Sequence, residues 1–324
     1  MLARCAALVF LIACAGSNGA KSPARPQAPA QKANIEAAAL PYSILDARTG
    51  HQIDTAAFWT QLDGQKVVCV GEDHPNPHHH WVQLEVMSKL AEQVKDRKLA
   101  LGMEMFQRPF QGILDDYAAK RIDEASLLSR SAWEDRWGYD YGFYGPTIRR
   151  AVLAGAALVA LNAPRELTRK IAHQGVSSLS PDEKAQLPQL DLDDKAHRAW
   201  WDDLMSSMDE GGHAHGQAHA EGSDDEKQAD MPAADNVYMA QVVWDETMAE
   251  SAVKWLQATP NGLIVVLAGN GHCHDSAIVG RIKRRGINEV VSVRPVLDTE
   301  GNVAEALAKP MNDFLVVLKL PQAR

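Results

Sequence analysis

Apolar residues gather in this chain as short unbroken runs, and four of those runs stop abruptly at chemically capable polar residues. Val67-Val68-Cys69-Val70 gives way to Gly71-Glu72-Asp73-His74, and Leu99-Ala100-Leu101-Gly102-Met103 to Glu104. Leu158-Val159-Ala160-Leu161 runs into Asn162-Ala163-Pro164-Arg165, and Leu263-Ile264-Val265-Val266-Leu267-Ala268 into Gly269-Asn270-Gly271-His272. Continuous apolar runs separated by helical stretches describe a parallel sheet covered on both faces. Ligands in such sheets sit beyond the carboxyl ends of the strands. The pattern gathers Glu72, His74, Glu104, Arg165 and His272 from distant points of the chain onto one rim.

Between the runs, Trp81, Leu84, Met87, Leu90, Ala91 and Val94 recur at spacings of three and four and predict a helix over 78–94. Residues 107–128, 146–154, 164–208 and 237–257 also read as helical. A short hairpin is expected over 42–54, closed near Gly50, with later strands over 290–296 and 314–320. The fold class is α/β, a mostly parallel sheet of about six strands flanked by helices, with a smaller helical domain over 164–260. Within that lobe, 209–235 has no aromatic residue and is rich in Gly, Ala, Asp and Glu, so it is expected to be a loop. His213, His215 and His219 make it either a metal- or haem-capturing tract or a solvated insertion.

The formal net charge of −9 and the absence of a large Lys/Arg cluster exclude a nucleic-acid surface. Arg4, the apolar stretch 6–13 and Leu11-Ile12-Ala13-Cys14 match a bacterial lipoprotein signal. Residues 1–13 are then the signal peptide, Cys14 the lipidated residue, 14–34 a flexible tether and 35–324 the body. Ala15 after the cysteine favours the outer membrane, so the expected location is lipid-anchored there, facing the periplasm. Cys69 and Cys273 remain near the rim, either bridged or packed as small buried hydrophobes.

Two histidines and two carboxylates, Glu72, His74, Glu104 and His272, suit a divalent metal or a general acid–base pair. There is no HExxH, GxSxG or CxxC to decide between them. His79 or His80 shares a helix face with Gln83, and one of the three histidines 78–80 is expected to face the rim. Tyr238, Gln241, Asp245 and Met248 form a stripe, read either as support for the rim residues or as a packing network. Trp137-Gly138-Tyr139-Asp140-Tyr141-Gly142-Phe143-Tyr144-Gly145-Pro146 reads as a packed loop or as a cover for a flat apolar cofactor. A phenolate from Tyr139, Tyr141 or Tyr144 suits haem iron, with Tyr144 first because it directly precedes the Gly145-Pro146 helix entry. Without CxxCH, any haem is held non-covalently.

Five motifs in order resemble the ChaN-like haem-binding lipoproteins. They are Gly71-Glu72-x-His74-x-Asn76-Pro77-x-His79-His80-x-x-Gln83, Met103-Glu104-Met105-Phe106 with Gln111, Asn162-x-Pro164-Arg165, Ala240-Gln241-x-x-Trp244-Asp245-x-x-Met248-Ala249 and Gly269-Asn270-Gly271-His272. That family is grouped with Tiki-type proteases, TraB-like proteins and erythromycin esterases. The resemblance spans about 42–294. Pro75 stands where the family usually carries Asp, and Ala277-Ile278-Val279-Gly280 replaces a Gly-Ile-Pro-like turn. The resemblance implies an anchored periplasmic protein that binds haem in haem or iron uptake. The residues of this sequence expected toward that cofactor are Tyr144, Tyr141, Tyr139, His79, His80 and Arg165. The alternative it implies is a metal-dependent hydrolase using Glu72, His74, Glu104 and His272, with Gln83, Gln241 and Asp245 holding them. The expected partners are haem, outer-membrane lipid through Cys14, uptake machinery and a second copy of the chain; nucleic acid is not among them.

Overall fold

The structure is a computed structural model that describes residues 39–319, together with Ile35, apart from 95, 213–232 and 300. The expected signal peptide, Cys14, the tether and the His213, His215 and His219 tract lie outside the described residues.

Each apolar run becomes a strand because both of its faces are covered. The sheet comprises β1 (Tyr42–Asp46), β2 (Gln52–Ile53), β3 (Val67–Val70), β4 (Lys98–Gln107), β5 (Ala157–Asn162), β6 (Gly262–Leu267), β7 (Val290–Leu297) and β8 (Phe314–Leu318). Their order is β2-β1-β8-β7-β3-β6-β4-β5. Strands β3 to β8 pair in parallel and account for the expected number. The hairpin adds β1 antiparallel to β8 and β2 antiparallel to β1, so the sheet has eight strands rather than about six. The addition covers the β8 edge, which would otherwise present unpaired backbone.

Side chains alternate across the central strand. Val68 and Val70 pack with Val82, Val86, Met87, Leu90 and Ile148 under the helices Pro77–Gln93 and Tyr141–Leu153. Val67 and Cys69 pack on the other face with Met248, Ala252, Ile278 and Ile282 from the helices Ala234–Ala258 and Ile278–Arg284. The buried stripe of Pro77–Gln93 is His79, His80, Trp81, Val82, Gln83, Val86, Met87 and Leu90. It departs from the predicted stripe because the first turn of the helix is buried at the rim and takes polar residues inward. Between β5 and β6 the chain forms Arg165–Gln174, Lys195–Gly212 and Ala234–Ala258.

From β3 the chain crosses to β4 on one side, and from β6 it crosses back past β3 to β7. The carboxyl ends of β3 and β6 are thus a topological switch point, where a crevice opens. Strand β4 does not stop at Glu104 but continues to Gln107, with a register irregularity between Met103 and Gln107. Such an irregularity re-aims a side chain, here Glu104. Cys69 and Cys273 are joined as a disulfide, which ties the middle of β3 to the turn following β6.

Candidate functional site

Asn76 caps the helix Pro77–Gln93 by accepting from the His78 amide at 3.0 Å, with Pro77 at the first helical position. This abrupt start right after β3 brings His74, His80 and Glu72 together. His74 Nδ1 lies 2.7 Å from Glu72 Oε1. Tyr144 donates its hydroxyl to the same oxygen at 3.2 Å. His80 Nε2 is 2.9 Å from the His74 carbonyl, while Nδ1 sits 3.1 Å from Gln83 Oε1 and 2.8 Å from Glu72 Oε2. Both ring nitrogens of His80 face only acceptors, so both carry protons and the ring is an imidazolium. Its bent contact to Glu72, shared with Gln83, is an ion pair rather than an aligned hydrogen bond. Burial alone would raise the Glu72 carboxyl, but His80 and His74 overcome it and hold it at about 2. Burial likewise pulls His80 and His74 down, and Glu72 reverses the balance and raises both.

The other half of the site grows from β4, β6 and the helix Ala234–Ala258. His272 Nδ1 is 2.7 Å from Asp245 Oδ1 and its Nε2 is 3.4 Å from Glu104 Oε1. Burial lowers the imidazole, but Glu104 and Asp245 push it up to about 9. Asp245 Oδ2 accepts from His197 Nε2 at 3.0 Å, and His197 Nδ1 lies 3.1 Å from the Tyr238 hydroxyl. Against the cost of burial, these histidines hold the Asp245 carboxyl far below the usual range. The Gln241 amide nitrogen lies 3.2 Å from His272 Nδ1 and 3.4 Å from Asp245 Oδ2.

Two glycines let the halves meet. A Cβ on Gly71 would collide with Asn270 Oδ1, and Asn270 donates to Asp73 Oδ1 at 2.9 Å, joining the β3 and β6 turns. Gly269 donates its amide to Glu104 Oε2 at 2.7 Å. A Cβ there would lie 3.2 Å from His74 Cε1 and 3.7 Å from Glu104 Oε2, so the missing side chain keeps the crevice open. Trp137 and Tyr139 wall one side, each ring centroid 4.8 Å from that of His74. On the other side, Trp244 stands perpendicular to His272 at 6.3 Å, and Trp200 packs 4.5 Å from His274. Aromatic walls beside the rim suit a flat ligand with an apolar face.

The tyrosines divide differently from the expectation. Tyr144 is buried, its hydroxyl is committed to Glu72, and burial together with Glu72 pushes its phenol well above the ordinary value. In this structure it therefore stands as a donor that positions Glu72. Tyr141 turns away, 3.4 Å from Glu124, with burial and Glu124 raising its phenol. Tyr139 alone of the three lines the crevice half-buried. Both His79 and His80 are buried, and His80 is the one that meets the rim residues Glu72 and His74. His79 accepts from the Asp73 amide at 2.9 Å and burial lowers it to about 4, so it is a neutral turn-fixing residue. Arg165 reaches outward to the Asp135 carbonyl at 2.7 Å and takes no part in the crevice. The Glu72 side chain is fully enclosed although it stands at a strand end.

Sequence reasoning missed His197 and Trp200. The available signal was the spacing of His197, Trp200, Trp201 and Leu204, one face of a helix carrying a single polar ring. Among the described residues, no group of three or more His, Cys, Asp or Glu is arranged to hold a metal ion. Glu72, His74, Glu104 and His272 instead bond to one another and to Asp245.

A family model described as haem-binding uptake, Tiki superfamily, ChaN matches residues 58–282. The chain is 28% identical over 137 residues to Protein RETICULATA-RELATED 5, chloroplastic, of Arabidopsis thaliana, across 40% of this chain and 18% of that protein. It therefore spans about a fifth of the length of this curated relative. Among solved structures, ChaN of Campylobacter jejuni, described with cofacial heme binding, aligns over 86% of this chain and 97% of its own. The TM-score is 0.63 at 17% identity, a likeness of fold. With its motifs in order, the family model matched over more than half its length and the same architecture, the chain belongs to the haem-binding ChaN family of the Tiki superfamily.

Proposed function

We propose that this protein is an outer-membrane-anchored periplasmic lipoprotein that holds haem non-covalently at the rim and serves haem or iron uptake. The observation that carries the reading is the crevice at the β3 and β6 ends. It is walled by Trp137 and Tyr139, kept open by Gly269, and faced by an imidazole with a free edge. Bound there, haem would supply an iron to be ligated. The chain's own residues orient that ligand and exclude water. The anchor reading rests on Leu11-Ile12-Ala13-Cys14.

Titrating the purified protein with haemin should produce a saturable Soret shift at fixed stoichiometry. A protein that melts cooperatively yet leaves the free-haemin spectrum unchanged would overturn the reading. Cys14→Ser should move the protein from outer membranes to the soluble periplasm; sedimentation that survives a salt wash would remove the lipid anchor from the account.

One observation favours a second reading, hydrolysis: two imidazoles, His74 and His272, are each backed by a buried carboxylate and share Glu104. In that reading a divalent metal, if used, would draw on Glu72, His74, Glu104 and His272. Chromogenic ester turnover that is lost in both His74→Ala and His272→Ala, beside metal analysis, would support it.

A further inference from the structure

Among the described residues, one covalent link crosses the switch point: the Cys69–Cys273 disulfide, which joins positions 204 residues apart. Cys69 stands three residues before Glu72, and Cys273 directly follows His272. The bridge thus ties the strand that leads to Glu72 to the turn that carries His272. Its two ends differ in what else holds them. Cys69 is fixed by the sheet, where it stands between Val266 of β6 and Ser292 of β7. Residues 269–277 form neither helix nor strand. The Asn270 amide donates to the Glu72 carbonyl at 2.8 Å, its side chain donates to Asp73 Oδ1 at 2.9 Å, and the Cys273 carbonyl accepts from Asn312 at 2.7 Å.

Both cysteines are fully buried and pack with Val67, Met248, Ala252 and Ile278. Bonded sulfurs sit about 2 Å apart, and two thiols need the full separation of non-bonded atoms. An interior packed to crystal density has no room for that difference, so the dithiol form must shift one end. Cys69 cannot yield without breaking ladder bonds on both edges of β3. The irregular turn can, and it takes with it Gly269 and Asn270 at the crevice and His272 at the rim.

We propose that the Cys69–Cys273 disulfide is a redox lock on the crevice: the bond seats the turn after β6, and the dithiol form unseats it and weakens ligand capture. The proposal rests on the haem reading above. The lock closes by thiol–disulfide exchange with a protein or small-molecule disulfide, the oxidant class of oxidising compartments. The oxidant's S–S bond breaks as the new one forms, and two electrons and the two thiol protons leave on its released thiols. Because both sulfurs are enclosed, the bond forms as the chain folds and is shielded from reductants afterwards. Capture competence then follows oxidation of the chain.

The test uses the full chain with Cys5→Ser and Cys14→Ser, which leaves Cys69 and Cys273 as its only cysteines. Oxidised protein, protein folded and purified under reductant, and the Cys69→Ala/Cys273→Ala variant are compared by anaerobic haemin titration after the reductant is removed. Amide hydrogen exchange is measured on the same samples without haemin. The dithiol form should bind haemin about 10-fold more weakly or worse, the scale on which lost orienting contacts weaken a metal site. Oxidised glutathione should restore the affinity. Exchange should quicken in 269–277 and stay unchanged in 67–70. The double-alanine variant lacks both the bond and the sulfur bulk, so it should be weakened less and should not respond to reductant or glutathione. Dithiol protein with the oxidised affinity and unchanged exchange in 269–277 would overturn the lock. Should the dithiol form fail to fold, the double-alanine variant decides: exchange in 269–277 equal to that of the oxidised protein overturns the proposal, and faster exchange confined there upholds it. Oxidised protein that binds no haemin would remove the haem reading, and the exchange comparison would still decide the lock.

Discussion

Glu72 and Asp245 are each a buried carboxylate that engages two histidines, yet the two halves of the rim end differently. On the β3 side, His74 turns its Nε2 edge to the crevice, unbonded among the described residues. On the β6 side, His272 meets Glu104 at 3.4 Å and is closed. A buried carboxylate–imidazole pair can thus present a ligand or brace a wall, and the residue beyond the second nitrogen decides which. For His74 that neighbour is Gly269, and for His272 it is Glu104.

The largest expected effect comes from removing a hub. Glu72→Ala leaves the His80 imidazolium enclosed without its counter-charge and should cost about 3–5 kcal/mol of stability by denaturant titration. Asp245→Ala should cost a similar amount. A loss under about 1 kcal/mol in either would mean that half is not held by charge pairing.

The pH dependence separates the halves next. His79 and His274 are lowered by burial to about 4 and about 3 from an ordinary 6.5. Below pH 6.5 the unfolded chain takes protons that the folded one refuses, so stability falls from there toward pH 3. Glu72, held at about 2 against an ordinary 4.5, adds loss in the same direction below pH 4.5. His272 has the opposite sign: raised to about 9, its contribution is complete below 6.5 and is lost as pH climbs through 9. Melting temperature should peak near pH 6.5, and His272→Gln should make the alkaline limb shallower while sparing the acid limb. An unchanged alkaline limb would show that His272 is not poised between two carboxylates.

Smaller effects sharpen the contrast. Tyr144→Phe removes one donor from Glu72 and should cost about 1 kcal/mol while leaving the haemin spectrum in place. His74→Ala should cost less still, under about 1 kcal/mol, because its ring is partly exposed, and yet abolish tight haemin binding. A melt loss matching that of Glu72→Ala would make His74 structural.

The two halves also differ in how far the sequence discloses them. Glu72, His74, His80 and Gln83 lie within a dozen residues, bounded by an apolar run and by Asn76-Pro77, a helix start. Local rules place them on one rim. The sheet is legible for the same reason: each parallel strand is an unbroken apolar run with a polar stop. Asp245, His197 and Tyr238 come together only through packing of the helices Lys195–Gly212 and Ala234–Ala258, 48 residues separating His197 from Asp245. No local pattern announces that pairing. The contact of Tyr144 is not legible either, because a fixed backbone says nothing of where a hydroxyl points, and the side chain is folded inward onto Glu72. The disulfide was open for a like reason, since only the sheet order brings Cys69 beside the turn of Cys273.

Iron anomalous scattering from crystals of the haemin-loaded protein tests the central claim most directly. The account predicts an iron peak within the crevice at the β3 and β6 ends, beside Gly269 and the Trp137–Tyr139 wall. A peak at the His213–His219 tract, or anywhere away from the β3 and β6 ends, would contradict it.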